Sequence, residues 1–263
     1  MKKLFLLLFI AFSSYAQEDF CSRGKDTIRT NLENPSSRIA FKNNGGFFDG
    51  GVCWWHSRLQ RASAFLVRFE PSAPIPTQSK VSKILSRLKS MKEVVTIPGY
   101  SDFESFTRAN HKAVQATLNA WQRMDGFINQ QWIRSISGRS SMQAEKMKAK
   151  IDEIYQAYQD SPVPVWLMAQ IKGISAHSFL LLEMNQVANG YQLKVIDSNR
   201  PDVVSDITYT YGDQNLHVIG SNYTFVLYVG FQADFQKMAR ALKAHCPNLD
   251  LEMESVPRGD LEL

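Results

Sequence analysis

The chain has 263 residues, 44% of them hydrophobic and 21% charged, with 30 Lys and Arg against 25 Asp and Glu for a net charge of +5. That length suits one large domain or two small ones. With 14 Gly, 10 Pro and three Cys, a collagen-like chain, a disulfide-dense mini-protein, a four-cysteine zinc ribbon and an all-cysteine iron–sulfur site are excluded.

Residues 1–16 read as a Sec-type signal peptide. Lys2 and Lys3 form the positive region, residues 4–12 are an apolar run too short for a bilayer core of about 30 Å, and small residues lead to cleavage after Ala16. Cys21 lies past acidic Glu18 and Asp19 and not at the cut, so it is not placed for lipidation. The expected location is therefore periplasmic or secreted. No other apolar run approaches the length of a membrane span, so no stable membrane insertion is expected after signal removal. Without Lys2 and Lys3 the net charge falls to +3, and the remaining basic residues are dispersed. The densest group, Lys80, Lys83, Arg87, Lys89 and Lys92, reads as a solvated helix face, so nucleic acid is not an expected partner.

Residues 31–51 are polar and rich in Asn and Gly, and read as loop. A helix is expected over 53–67, with Trp54, Leu59, Ala62, Phe65 and Leu66 buried, ended by the Pro-rich stretch 71–76. Val81, Ile84, Leu85, Leu88 and Met91 recur at helical spacing, and residues 94–97 form a short apolar piece before Pro98-Gly99. Ser101 and Glu104 have capping-box spacing. Behind them Phe103, Phe106, Val114, Leu118, Trp121, Ile128 and Trp132 line one long helical stripe, which Gly138 ends. Ser140 to Gln143 repeats the capping pattern before a helix carrying Met147, Ile151, Ile154, Tyr155 and Tyr158.

After Pro162 the character changes. Residues 163–171, 178–184, 191–196, 207–211, 216–219 and 223–231 are short β-rich runs, and Asn189-Gly190 is a hairpin-turn dipeptide. Residues 234–244 read as a last helix. Helices first and strands second define an α+β layout: a mainly helical lobe at 17–161, a β lobe at 162–231, and a C-terminal helix and tail at 232–263.

Three features carry chemistry. Cys53 follows Gly50-Gly51-Val52 at the start of a predicted helix, where the helix N-terminus favours a thiolate nucleophile. Alone, it reads equally as a small buried hydrophobe. His177 leads an apolar strand and is placed to act as a base; alone, it reads as a core histidine. Asp197-Ser198-Asn199 ends the next strand, where a carboxylate or amide orients an imidazole; alone, it is ordinary turn chemistry. The Asn189-Gly190 turn joins the features. It folds the two strands antiparallel and brings the start of one, His177, beside the end of the other. A metal site is not expected, because Cys53 and His56 share a helix face but no further ligands can be named. His111 and His217 read as structural, and His245 as favouring a helix C-terminus.

With Cys, His and Asp/Asn in this order, the chain resembles the papain-like cysteine peptidases. Gly51-Val52-Cys53-Trp54 is similar to the family's nucleophile segment, in which Trp or Tyr follows the Cys. His177, Asp197 and Asn199 lie 124, 144 and 146 residues after Cys53, near the about 130–150 of papain-type enzymes. The strand–hairpin–strand ending resembles bacterial members such as YopT-type effector proteases and bacteriocin-leader peptidases, which carry an aspartate at the position of Asp197.

The resemblance implies a papain-like fold, with the nucleophile helix of the N-terminal lobe packed on a C-terminal antiparallel β lobe. It implies a thiol hydrolase that cleaves an amide bond of a peptide or protein through a thioester, without a cofactor. Cys53 would be nucleophile, His177 base and Asp197 orienter, with Asn199 the alternative orienter. The family's oxyanion glutamine sits six residues before the cysteine, where this chain has Phe47. Asn43 and Asn44 are candidate replacements beside the Cys53 N–H.

Export permits a disulfide, and chain termini often lie close together, so a Cys21–Cys246 bridge is expected, leaving Cys53 as the free thiol. Two other readings stay open. A transglutaminase-like or cell-wall amidase fold shares the residue order, although transglutaminases place Trp two positions after the histidine, where this chain has Phe179. The other is a non-catalytic secreted binding protein. Oligomeric state and specificity are not legible.

Overall fold

An uninterrupted run without Gly or Pro forms α1 (Lys25–Glu33), and a longer one forms α2 (Cys53–Leu66). The computed structural model describes residues 20–46, 50–128, 138–161, 164–230 and 232–248. The expected signal peptide, Phe47, Trp132, strand ends at 163 and 231, and the tail beyond 248 lie outside the described residues.

α2 is the central element: every residue except Ala64 is buried. The expected apolar positions are inside, but so are Ser57, Arg58, Gln60, Arg61 and Ser63, because other elements cover the polar face too. Buried charge needs a partner. Arg58 has two, with Nη1 2.7 Å from Asp125 Oδ2 and Nε 2.7 Å from Asp234 Oδ2, and its guanidinium lies over the Trp121 ring.

Val67 leaves α2 in extended conformation and starts β1 (Val67–Glu70), where the sequence had suggested continued helix. β1 pairs in parallel with β2 (Val95–Pro98), with α3 (Gln78–Ser90) as the crossover. The expected long helical stripe is broken into α4 (Phe103–Ala109), α5 (His111–Gln122) and a π-helical turn at Arg123–Ile128. The first break falls at Asn110, whose backbone leaves the helical region at φ −115°, ψ 27°, and whose Nδ2 donates to the Phe106 carbonyl at 2.9 Å beside its own backbone N–H at 3.1 Å. The cap of α4 is Asp102, which accepts the Ser105 N–H at 2.7 Å, so the Ser101/Glu104 reading was one residue out. α6 (Ala144–Asp160) starts after Gln143 without a side-chain cap.

The β-rich half forms β3 (Val165–Gln170), β4 (Ala176–Val187), β5 (Gly190–Asp197), β6 (Val204–Thr210) and β7 (Val226–Val229). They build one antiparallel sheet in the order β6-β5-β4-β3-β7. Residues 216–219 give only isolated bridges, Leu216 to Phe225 and Val218 to Ile207. The β4–β5 connection is Ala188–Asn189, one residue earlier than the dipeptide suggested, with Val187 opposite Gly190. Gly190 is required by packing, since a Cβ there would fall 1.8 Å from the Tyr209 carbonyl oxygen.

Every residue of β3 is buried, as expected for a strand covered on both faces. Val165, Leu167 and Ala169 join α6 in one core, while Trp166 and Met168 join α2 and α7 (Gln232–His245) in the other. The molecule therefore has mixed helix and sheet, with the five-stranded sheet between two helical layers. The expected bridge is present: Cys21 and Cys246 are disulfide-bonded, their Cα atoms 5.4 Å apart, and Cys53 is free. Among the described residues no helix is long and apolar enough to cross a membrane.

Candidate active site

The site is assembled where the first turn of α2 meets the start of β4. Three consecutive β4 residues make the junction. The Ala176 carbonyl oxygen is 3.8 Å from Cys53 Sγ. The His177 carbonyl accepts the Trp54 indole N–H at 3.2 Å. Ser178 Oγ donates to the Cys53 carbonyl at 2.8 Å and lies 2.9 Å from Ser57 Oγ. Cys53 and His177 are thus held by the backbone and side chains on either side of them, with the Cys53 side chain near enough to the imidazole to raise its pKa.

The hairpin supplies the other half. Phe179 pairs with Asp197 across β4 and β5, and His177 Nε2 lies 2.6 Å from Asp197 Oδ1. With Nε2 engaged, Nδ1 is the ring nitrogen left for Cys53. Burial alone would push the His177 pKa down. Hydrogen bonds to Asp197 and Cys53, and the charges of both, outweigh it and hold the imidazolium up to about 10. Asp197 moves the other way. Burial favours its neutral form, but His177, the Asn199 N–H and nearby Arg200 keep its carboxyl below the usual range. Asn199, the alternative orienter, serves this carboxylate instead: its N–H donates to Asp197 Oδ1 at 2.8 Å.

The loop before Cys53 is fastened by Asn43. Its Oδ1 accepts the Val52 N–H at 2.7 Å, its own N–H donates to the Ser198 carbonyl at 2.8 Å, and its Nδ2 donates to Ser198 Oγ at 3.3 Å and to Asn199 Oδ1. Gly51 sits beside it at φ +85°, where a Cβ would be 2.1 Å from Asn43 Oδ1. Both amide hydrogens of Asn43 are therefore used inside the protein. Asn44 has an exposed side chain, and its carbonyl accepts from Gln115 at 2.8 Å. The first amides of α2, Cys53 N–H among them, have no intrahelical acceptor.

Two residues that the sequence did not single out for the site adjoin it. His56, one turn after Cys53, is buried with Nε2 2.9 Å from the Phe41 carbonyl, which can only accept, so that nitrogen carries the hydrogen. Burial, then the charge of His177, lower its pKa to about 4 against the opposing pull of the Phe41 bond and Asp197. Tyr223 is half-buried, and its hydroxyl is held protonated, up to about 12, by burial and by the charges of Asp197 and Cys53. His56 had a signal, its one-turn spacing from Cys53; Tyr223, in irregular chain, had none.

Among the described residues, Cys21, His245 and Cys246 form a cluster of metal-capable side chains, but its two thiols are joined in the disulfide. No protein-family model, no curated protein and no solved structure matches the chain.

Proposed function

We propose that this protein is an exported cysteine peptidase of papain-like type. The observation that carries the reading is that His177 Nε2 lies 2.6 Å from Asp197 Oδ1 while the residue before His177, Ala176, meets Cys53 Sγ through its carbonyl at 3.8 Å, which places thiol, imidazole and carboxylate together. A thiol at a helix N-terminus beside an imidazolium is a prepared nucleophile, and a buried carboxylate behind the ring fixes its orientation and charge.

In the proposed reaction the Cys53 sulfur attacks an amide carbonyl. The carbonyl electron pair moves to oxygen, and collapse breaks the C–N bond as His177 gives its proton to the leaving amine. A thioester on Cys53 remains. Water, losing a proton to His177, then attacks the thioester and releases the acid, restoring the thiolate and imidazolium. Export is supported by the Lys2–Ala16 pattern and by the Cys21–Cys246 bridge, a feature of oxidising compartments.

The test is hydrolysis of a broad peptide library by the parent and by Cys53→Ala and Cys53→Ser. The reading expects cleavage by the parent and its loss in both variants; equal cleavage by the variants sinks it.

A further inference from the structure

Tyr223 lies three residues before β7, and the rows of the sheet define where that is. Val226 of β7 pairs with Gln170 of β3, and Gln170 pairs with Ala176 of β4. Tyr223 therefore approaches the same end of the sheet at which Ala176 and His177 meet Cys53. A chain of rings makes the connection: His177 to Phe179 at 5.0 Å between centroids, Phe179 to Phe225 at 5.5 Å, and Phe225 to Tyr223 at 5.8 Å. Phe179 and Phe225 are fully buried, so the Tyr223 ring rests on a fixed base while its own side is only half-buried. Among the described residues no group hydrogen-bonds the Tyr223 hydroxyl.

A half-buried hydroxyl without a partner, at the end of the sheet where Cys53 and His177 meet, is a donor awaiting an acceptor. The site needs one. A carbonyl attacked by Cys53 becomes an oxyanion; Asn43 has no donor left for it, so beside the backbone amides of the first turn of α2 a further side-chain donor has a role to fill. We propose that the Tyr223 hydroxyl is a catalytic donor that hydrogen-bonds the acyl oxygen as the tetrahedral adduct on Cys53 forms. The proposal rests on the reading of Cys53 as an acylating thiol. Burial and the neighbouring negative charges keep the hydroxyl protonated, so it donates across the working pH range.

Two small probes separate this role from a structural one without knowledge of the substrate. Iodoacetamide alkylates sulfur by displacing iodide, and no oxyanion forms. p-Nitrophenyl acetate acetylates sulfur through a tetrahedral oxyanion that collapses to a thioester and releases p-nitrophenolate. Both rates are measured on the parent and on Tyr223→Phe, which keeps the ring and its packing. The expected result is acetylation slowed by about tenfold or more, with alkylation unchanged within about twofold. Unchanged acetylation overturns the proposal. So does equal slowing of both reactions, which would make Tyr223 a support for the thiol. A parent protein that p-nitrophenyl acetate does not acetylate at Cys53 overturns the acylating reading itself, and Tyr223 with it, before any variant is compared.

Discussion

His177 and Asp197 lie twenty residues apart in sequence, yet Nε2 and Oδ1 approach to 2.6 Å inside the protein. The hairpin produces this contact, and the contact sets the charge of the ring. Without a partner, a buried imidazole would give up its proton, whereas this one holds it to about pH 10.

The first prediction concerns that charge. In the proposed reaction the imidazolium protonates the leaving amine, so the rate should fall as pH rises through about 10. Asp197→Asn keeps the shape and removes the negative charge. The His177 pKa then drops, the alkaline limb moves to lower pH, and cleavage near neutral pH falls by about 10²-fold or more. A pH–rate profile of both proteins reads the shift; an unmoved limb would show that Asp197 does not set the His177 charge.

The second prediction concerns His56. Its folded pKa of about 4 lies below its ordinary 6.5, so the unfolded chain takes up the proton first on acidification. Stability is therefore intact above about pH 6.5 and is lost as pH falls toward about 4, by about 2–3 kcal/mol from this residue. Urea unfolding at pH 7 and pH 4.5 measures the loss. His56→Gln keeps a donor for the Phe41 carbonyl and should be less stable at neutral pH but flatter between the two conditions. An equal acid loss in the variant would assign the sensitivity to other groups.

The Cys–His–Asp order could be read from sequence because an antiparallel hairpin has simple geometry: residues equidistant from the turn become neighbours. A turn misplaced by one residue, at Ala188–Asn189 instead of Asn189–Gly190, did not disturb that inference, since both ends of the hairpin remained adjacent. The Cys21–Cys246 bridge followed from compartment and cysteine count. What was hidden depended on tertiary surroundings. Arg58 and Gln60 of α2 look like a solvated face until Asp125, Asp234 and the backbone at Ser37 and Ile39 are brought to them. The parallel β1–β2 pair rests on two four-residue strands, too short to signal themselves beside a strong helix. Asn43 was legible as an asparagine in a loop but not as a fastener, because its partners lie at positions 52, 198 and 199.

The third prediction follows from the disulfide. It closes a loop of 225 residues, tying the segment before α1 to the end of α7. Cross-links of this kind stabilise by about 2–5 kcal/mol, largely through the unfolded state, although native strain and residual structure reduce the dependence on loop length. Cys21→Ala with Cys246→Ala should lower the unfolding midpoint accordingly. Iodoacetamide should still label Cys53 in the folded variant at a rate within about twofold of the parent, because the bridge ties the two ends of the chain and not α2 to β4. A loss of labelling in a folded variant would show that the termini support the nucleophile.

The fourth prediction tests Asn43 as a positioning residue. Its side chain fastens the Val52 amide, in the nucleophile loop, to Ser198 and Asn199, in the turn that carries Asp197. Asn43→Ala removes three side-chain hydrogen bonds and strands the part-buried Val52 N–H, costing about 1–3 kcal/mol of stability. A merely structural role would stop there. If Asn43 also sets the distance between thiol and imidazole, kcat should fall by about tenfold with KM nearly unchanged, since the groups that bind substrate remain in place. Asn43→Asp sharpens the test. It can still accept from Val52, but it turns a negative charge toward Asn199 Oδ1 and the Asp197 turn, so it repels where the amide attracts. Its kcat should fall at least as far as that of the alanine variant despite a retained Val52 bond. Full kcat in Asn43→Asp would place the whole effect of the residue on the nucleophile loop and none on the link between the two halves of the site.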